Sequence, residues 1–159
     1  MARLALPVSE RSATNPDAGP KPPARRTFGH RDRLHGSRDF EAVFAGKLRK
    51  SSGPLTAFCL PTERAHPRLG LSIGRRVGGA VRRNRLKRML REAFRLSRGE
   101  LAGHPRGSYD IVISARPHDS LPLERYRTLL IELVGEAAAT HHKRLARNAA
   151  RGSAGRQPS

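Results

Sequence analysis

The sequence predicts a small α+β sandwich with the element order αβββαβα, and three features predict it. A period-two strand at 68–73, an amphipathic helix at 81–96 and a continuous apolar strand at 109–115 follow one another. Two strands joined through a helix are expected to lie parallel in one sheet, with the helices packed against it. The ends carry no such period. Residues 1–29, rich in Pro, Ala, Arg and Ser, and residues 148–159 read as flexible basic tails around one domain at 30–147.

Each element has its own signal. Ser37 is placed to cap a short helix running to Ala45, with Phe40, Val43 and Phe44 on one face and Gly46 ending it. A short extended piece follows at Lys47–Ser51. Leu55–Leu60 carries Phe58 and stops at Pro61, as a strand would, and Thr62–Pro67 is a turn. Leu69, Leu71 and Ile73 alternate along the next strand. After the helix at Val81–Leu96 come a loop at Gly99–Ser108, a buried strand at Tyr109–Ala115 and a last helix from Leu123 to about Arg147.

Lys and Arg number 32 against 13 Asp and Glu in 159 residues, a formal net charge of +19. Such an excess repels itself in a compact fold unless a polyanion neutralises it, and nucleic acid is the usual partner. An acidic membrane surface is the other candidate, but no run of about 18 apolar residues offers a span. The apolar stretch after Met1 is too short for a signal peptide. Cys59 is the only cysteine, so no internal disulfide and no Cys-based zinc site can form, which fits a reducing cytoplasm.

The helix at 81–96 concentrates the charge. Leu86, Met89, Leu90, Ala93 and Phe94 gather on one side at helical spacing, while Arg85, Lys87, Arg88, Arg91 and Arg95 gather opposite, with Asn84 among them. Like charges at i,i+3 and i,i+4 oppose one another, and Glu92 is the only acid in the segment. Stability explains such a face poorly. Phosphates resolve the conflict, because Arg binds phosphate oxygens in a bidentate way. Gly78 and Gly79 precede the helix and let the backbone and its first amides approach an anion.

The block from Gly70 to Arg88, with Arg83-Asn84-Arg85 inside it and Leu90-Arg91-Glu92-Ala93-Phe94-Arg95 after it, resembles the signature of the bacterial ribonuclease P protein component. Asp39-Phe40-Glu41-Ala42-Val43-Phe44 and Tyr109-Asp110-Ile111-Val112-Ile113-Ser114-Ala115-Arg116 match in the right order on either side, so the likeness runs from about Arg31 to Arg147. The resemblance implies a two-layer αβββαβα sandwich of the ribosomal protein S5 domain 2-like kind, with a left-handed crossover against the general right-handed rule. One departure is Gly74, where the family usually has Ser, and Arg75-Arg76 stand for its lysines.

The resemblance also implies a division of labour. The catalytic RNA of ribonuclease P holds the magnesium that the holoenzyme requires and performs the hydrolysis; the protein binds no cofactor or metal of its own. Arg82, Arg83, Asn84, Arg85, Lys87, Arg88 and Arg91 would face that RNA. A cleft between the first helix and the sheet would hold the 5′ leader of precursor tRNA, with Phe40, Phe44, Phe58, Arg68, Arg75 and Arg76 as contacts. Aromatic rings stack on unpaired bases for about 1–3 kcal/mol per base. Yet Phe40 and Phe44 also sit at core spacing in a chain with few aromatics, so core and cleft both stay open for them and for Phe58. No obligate protein partner is implied.

No catalytic residue is assigned to the polypeptide. Its acids are scattered, Glu132 and Glu136 suit an exposed helix face, and His141-His142 lack a carboxylate partner. His66 and His104 read as loop residues, and Cys59 as a small apolar group in a strand. A general RNA-binding module of ribosomal type explains the charge equally well, but not the ordered block. A free-standing endonuclease is disfavoured by the scattered carboxylates, and no helix-turn-helix or zinc finger supports DNA binding.

Overall fold

The computed structural model describes residues 27–154. After a 3-10 turn at His30–Asp32 come α1 (Gly36–Ala45), β1 (Leu48–Ser52), β2 (Leu55–Thr62) and β3 (Arg68–Ser72). A second 3-10 turn at Arg75–Val77 leads into α2 (Ala80–Ser97), followed by β4 (Ser108–Ala115) and α3 (Leu123–Ala154). The strands form one sheet in the order β1-β2-β4-β3, antiparallel except for the β3–β4 pair that α2 connects.

Strand alternation divides the core. Leu55, Ala57 and Cys59 of β2, Leu69 of β3, and Tyr109, Ile111 and Ile113 of β4 face α2 and α3, where they meet Leu90, Phe94, Leu129 and Leu133. On the other face Val112 packs with Leu34 and Val43, flanked by Phe40, Phe58 and Leu60. The α2/α3 layer on the sheet is the main sandwich, and α1 covers part of the opposite face. β4 is therefore enclosed on both sides, which is why its sequence is continuously apolar instead of alternating. Cys59 is fully buried, and burial pushes its thiol up to about 12, as suits a small apolar group.

Several boundaries move. The N-cap of α1 is His35 and Ser37 lies within the helix; Asp39 Oδ2 accepts the His35 N–H at 2.8 Å. Lys47 takes a left-handed φ of 56° in the turn out of α1, so the first strand starts at Leu48. β2 runs through Pro61 to Thr62, because β1 begins at Leu48 opposite Cys59 and leaves the last residues of β2 paired with β4 on one side only. A residue without an N–H is tolerated at such an open edge.

The domain limits move too. Most of the N-terminal tail expected at 1–29 lies outside the described residues, but Phe28 belongs to the fold. Its ring meets Phe94 edge-on at 5.8 Å, and Asp32 just beyond it pairs with Arg98 at 2.7 Å. The C-terminal tail expected from Asn148 begins as helix, since α3 continues to Ala154. Ala146, Ala149 and Ala150 have the highest helix propensity, and Arg147 and Arg151 favour the negative end of the helix dipole. No helix among the described residues is long and apolar enough to cross a membrane.

Candidate nucleic-acid interface

α2 is built as its period predicts. Leu90, Ala93 and Phe94 are fully buried and Leu86 nearly so, while Asn84, Arg85 and Arg88 are exposed. Glu92 is engaged by Arg95, whose Nε donates at 2.9 Å and holds the Glu92 carboxyl below its ordinary range. Two of the expected contacts lie at the borders of the apolar stripe. Arg82 folds back over Gly78, which has φ 146° and leaves no room for a Cβ, and donates to the His118 carbonyl. Arg83 is half-buried, with its Nε enclosed and without a hydrogen-bond partner.

A groove of about 630 Å³ links α2 to the α1 face of the sheet. Lys87 and Arg91 line it from α2, Phe40 from α1, Leu69, Gly70 and Leu71 from β3, and His30, Arg33 and His35 from the segment before α1. No carboxylate lines it among the described residues. Arg91 has its guanidinium pKa lowered, by burial first and then by the positive charge of Arg33. The two cations thus line one open groove, an arrangement that favours a bound anion.

The floor of this groove explains Gly70. A Cβ there would lie 2.7 Å from Phe40 Cζ and 2.9 Å from Leu34 Cδ1, so the Phe40 ring rests on bare backbone. Gly70→Ala is expected to lift α1 and lower stability by about 1–3 kcal/mol. Urea titration would measure this, and an unchanged midpoint would show that α1 yields freely.

Phe44 and Phe58 form an edge-to-face pair at 4.8 Å near the far end of α1. Phe44 is 41% exposed and Phe58 half-buried, with the Arg49 guanidinium 5.7 Å from the Phe58 ring. The two rings pack on each other and leave ring surface at the protein's exterior. Arg75 and Arg76 are exposed on the turn before α2 and do not line the groove.

Arg68 is largely enclosed. Expected as a leader contact, it is only 11% exposed; its Nε donates to Asp110 Oδ1 at 2.9 Å, and a second nitrogen to Asp39 Oδ2 at 3.3 Å. The hydrogen bond with Asp110 is the main reason its pKa is raised. Arg68 stands opposite Asp110 in the β3–β4 pairing, and a carboxylate buried at 3% exposure needs a cation. Arg68 therefore fastens α1 to β3 and β4; its outer edge borders a basic hollow with Arg31, Arg64 and His66.

Sequence reasoning missed Arg33, His35 and Arg49. The first two stand in a charged run at the edge of the supposed tail, and nothing local signals that the chain there bridges to β3 through Arg33 and Leu69. Arg49 lies in a weakly patterned strand. The histidines play structural parts: His104 Nε2 donates to the Thr62 and Ser108 carbonyls at 2.9 and 3.0 Å. His141 Nδ1 meets the Tyr109 hydroxyl at 2.9 Å. Glu132 and Glu136 are exposed on α3. Among the described residues no three His, Cys, Asp or Glu side chains gather as a metal site would require.

Comparison with known proteins bears on what this surface serves. The family model for ribonuclease P matches residues 28–138. The ribonuclease P protein component of Azotobacter vinelandii is 45% identical over 93 residues, covering 57% of this chain and 68% of the relative. That of Methylococcus capsulatus is 41% identical over 90 residues, covering 56% and 66%. The alignments thus span about two thirds of each relative's length. The solved structure of the ribonuclease P protein from Thermotoga maritima superposes with a TM-score of 0.56 at 30% identity, covering 64% of this chain and 94% of that one. The chain belongs to the ribonuclease P family, as a protein component with a role in processing the 5′ end of tRNA.

Proposed function

We propose that the chain is the RNA-binding subunit of a cytoplasmic ribonuclease P ribonucleoprotein, and that it works by holding two RNAs at once. The exposed α2 face, with Asn84, Arg85 and Arg88 beside Arg82 and Arg83, binds the catalytic RNA. The groove between α2 and α1 takes the 5′ leader of precursor tRNA: Lys87, Arg91 and Arg33 on its phosphates, Phe40 and the Phe44–Phe58 pair against its bases. The groove lined by Lys87, Arg33 and Arg91, with no carboxylate among the described residues that line it, carries this reading, because a bound phosphate gives these cations the partner that the lining does not. Arg75 and Arg76 add phosphate contacts beside the start of α2.

On this reading the phosphodiester hydrolysis is carried by the RNA subunit, and the protein contributes affinity and alignment. The holoenzyme's magnesium falls to the RNA, since the carboxylates described here are engaged with arginines or dispersed on the surface. No step is assigned to a protein-bound metal, and no further protein partner is required.

Reconstitution tests the proposal. With ribonuclease P RNA and precursor tRNA at low magnesium, cleavage should need the RNA and be strengthened by the protein, while the protein alone leaves the substrate intact. Cleavage by RNA-free protein would point to a nuclease, and an RNA reaction indifferent to the protein would point to a binding module of another kind. Arg83→Ala with Arg85→Ala should weaken binding to the catalytic RNA and flatten its salt dependence by about 1 to 2 in log–log slope. An unchanged slope would remove α2 as the docking surface.

A further inference from the structure

The family match ends at Ala138, yet α3 continues to Ala154. From His142 to Gly152 every residue of this continuation is exposed, so it projects from the domain instead of packing on it. It carries Lys143, Arg144, Arg147 and Arg151 and no acid. At about 100° per residue these four side chains fall within an arc of about 100°, along about 12 Å of helix axis. Ala146, Ala149 and Ala150 occupy other directions. The result is a helix with one basic stripe.

Its position is defined at the base. Tyr109 meets His141, and Arg144 donates to the Lys47 carbonyl at 3.1 Å, in the turn between α1 and β1. That turn lies two residues after Phe44 and leads into β1 with Arg49, so the stripe starts near the aromatic end of the α1 surface. Lys87 and Arg91 lie at one end of this path, Phe40 and the Phe44–Phe58 pair along it, and the stripe beyond the β1 edge. Continuity and charge favour one occupant, a single strand of RNA leaving the groove.

We propose that the α3 continuation is a second phosphate-binding track that engages leader nucleotides beyond the Phe44–Phe58 pair, so that this chain draws affinity from long 5′ leaders. The inference rests on the groove being the leader site. Like charges along the helix then serve a strand with evenly spaced phosphates, and the alanines between them keep the arm helical without covering it.

The test compares holoenzymes made with the full chain and with a Lys143→Gln, Arg144→Gln, Arg147→Gln and Arg151→Gln variant. Gln retains helix propensity, and unchanged far-ultraviolet ellipticity verifies the arm. Each holoenzyme is titrated with precursor tRNA carrying a short leader confined to the groove, and with one carrying a long leader. The native chain should bind the long-leader substrate more tightly, and the variant should lose about tenfold on that substrate alone, with a shallower salt slope. A long-leader advantage that survives in the variant overturns the proposal. So does a loss shared equally by both substrates and by the catalytic RNA alone, which would seat the arm on that RNA. A native chain indifferent to the added leader length also overturns it and leaves the groove reading standing, since both leaders fill the groove; a native chain that binds leaderless tRNA as tightly as the short-leader substrate would instead overturn the leader reading of the groove, and this proposal with it.

Discussion

Arg33→Gln combined with Arg91→Gln should weaken precursor tRNA binding to the reconstituted holoenzyme by about tenfold or more, and flatten the salt dependence by about 1.4 in log–log slope, at about 0.7 for each phosphate contact on a single strand. The same change should not weaken the fold. Arg91 has its pKa lowered by burial and by Arg33, so its charged form is held at a cost in the folded state that the unfolded chain does not bear. That cost is present throughout the pH range in which arginine is protonated. Arg91→Gln alone should therefore leave the thermal midpoint unchanged or raise it. Loss of affinity with retained stability identifies residues placed for a ligand. Lower stability with full RNA affinity would instead make the two arginines part of the scaffold.

Leu90→Asp is the opposite case and the largest stability effect expected. Leu90 is fully enclosed between α2, the sheet and α3. The substitution removes its buried apolar surface and puts a carboxylate in its place, with an expected cost of about 4 kcal/mol or more, enough to unfold a domain of ordinary stability. Denaturant titration and loss of near-ultraviolet signal would measure it. RNA binding should disappear with the fold, unlike the arginine variants, and a cooperative transition near that of the native chain would mean that α2 is not seated as described.

These two residues mark how far local sequence carries. Leu90 was legible because helical period places it with Leu86, Ala93 and Phe94, and burial follows period wherever a helix has one apolar face. Arg91 was legible as a cation on the other face. Its opposition to Arg33 was not, because that depends on the segment before α1 lying along β3. Arg68 illustrates the same limit. As a basic residue at the start of a strand it reads as a free surface charge, and only the pairing of β3 with β4 puts Asp110 opposite it.

The sequence by itself determined the element order, the amphipathic helix with its basic face, the paired strands around it and the family likeness carried by the block from Gly70 to Arg88. These are properties of period, composition and motif within short windows. Only the tertiary structure decided that Phe28 belongs to the fold, that Arg68 is a fastening and that Arg33 completes the groove with Lys87 and Arg91. The physical reason is the β1-β2-β4-β3 strand order. It joins residues far apart in the chain, and a charge acquires its role from the neighbour that this order sets beside it.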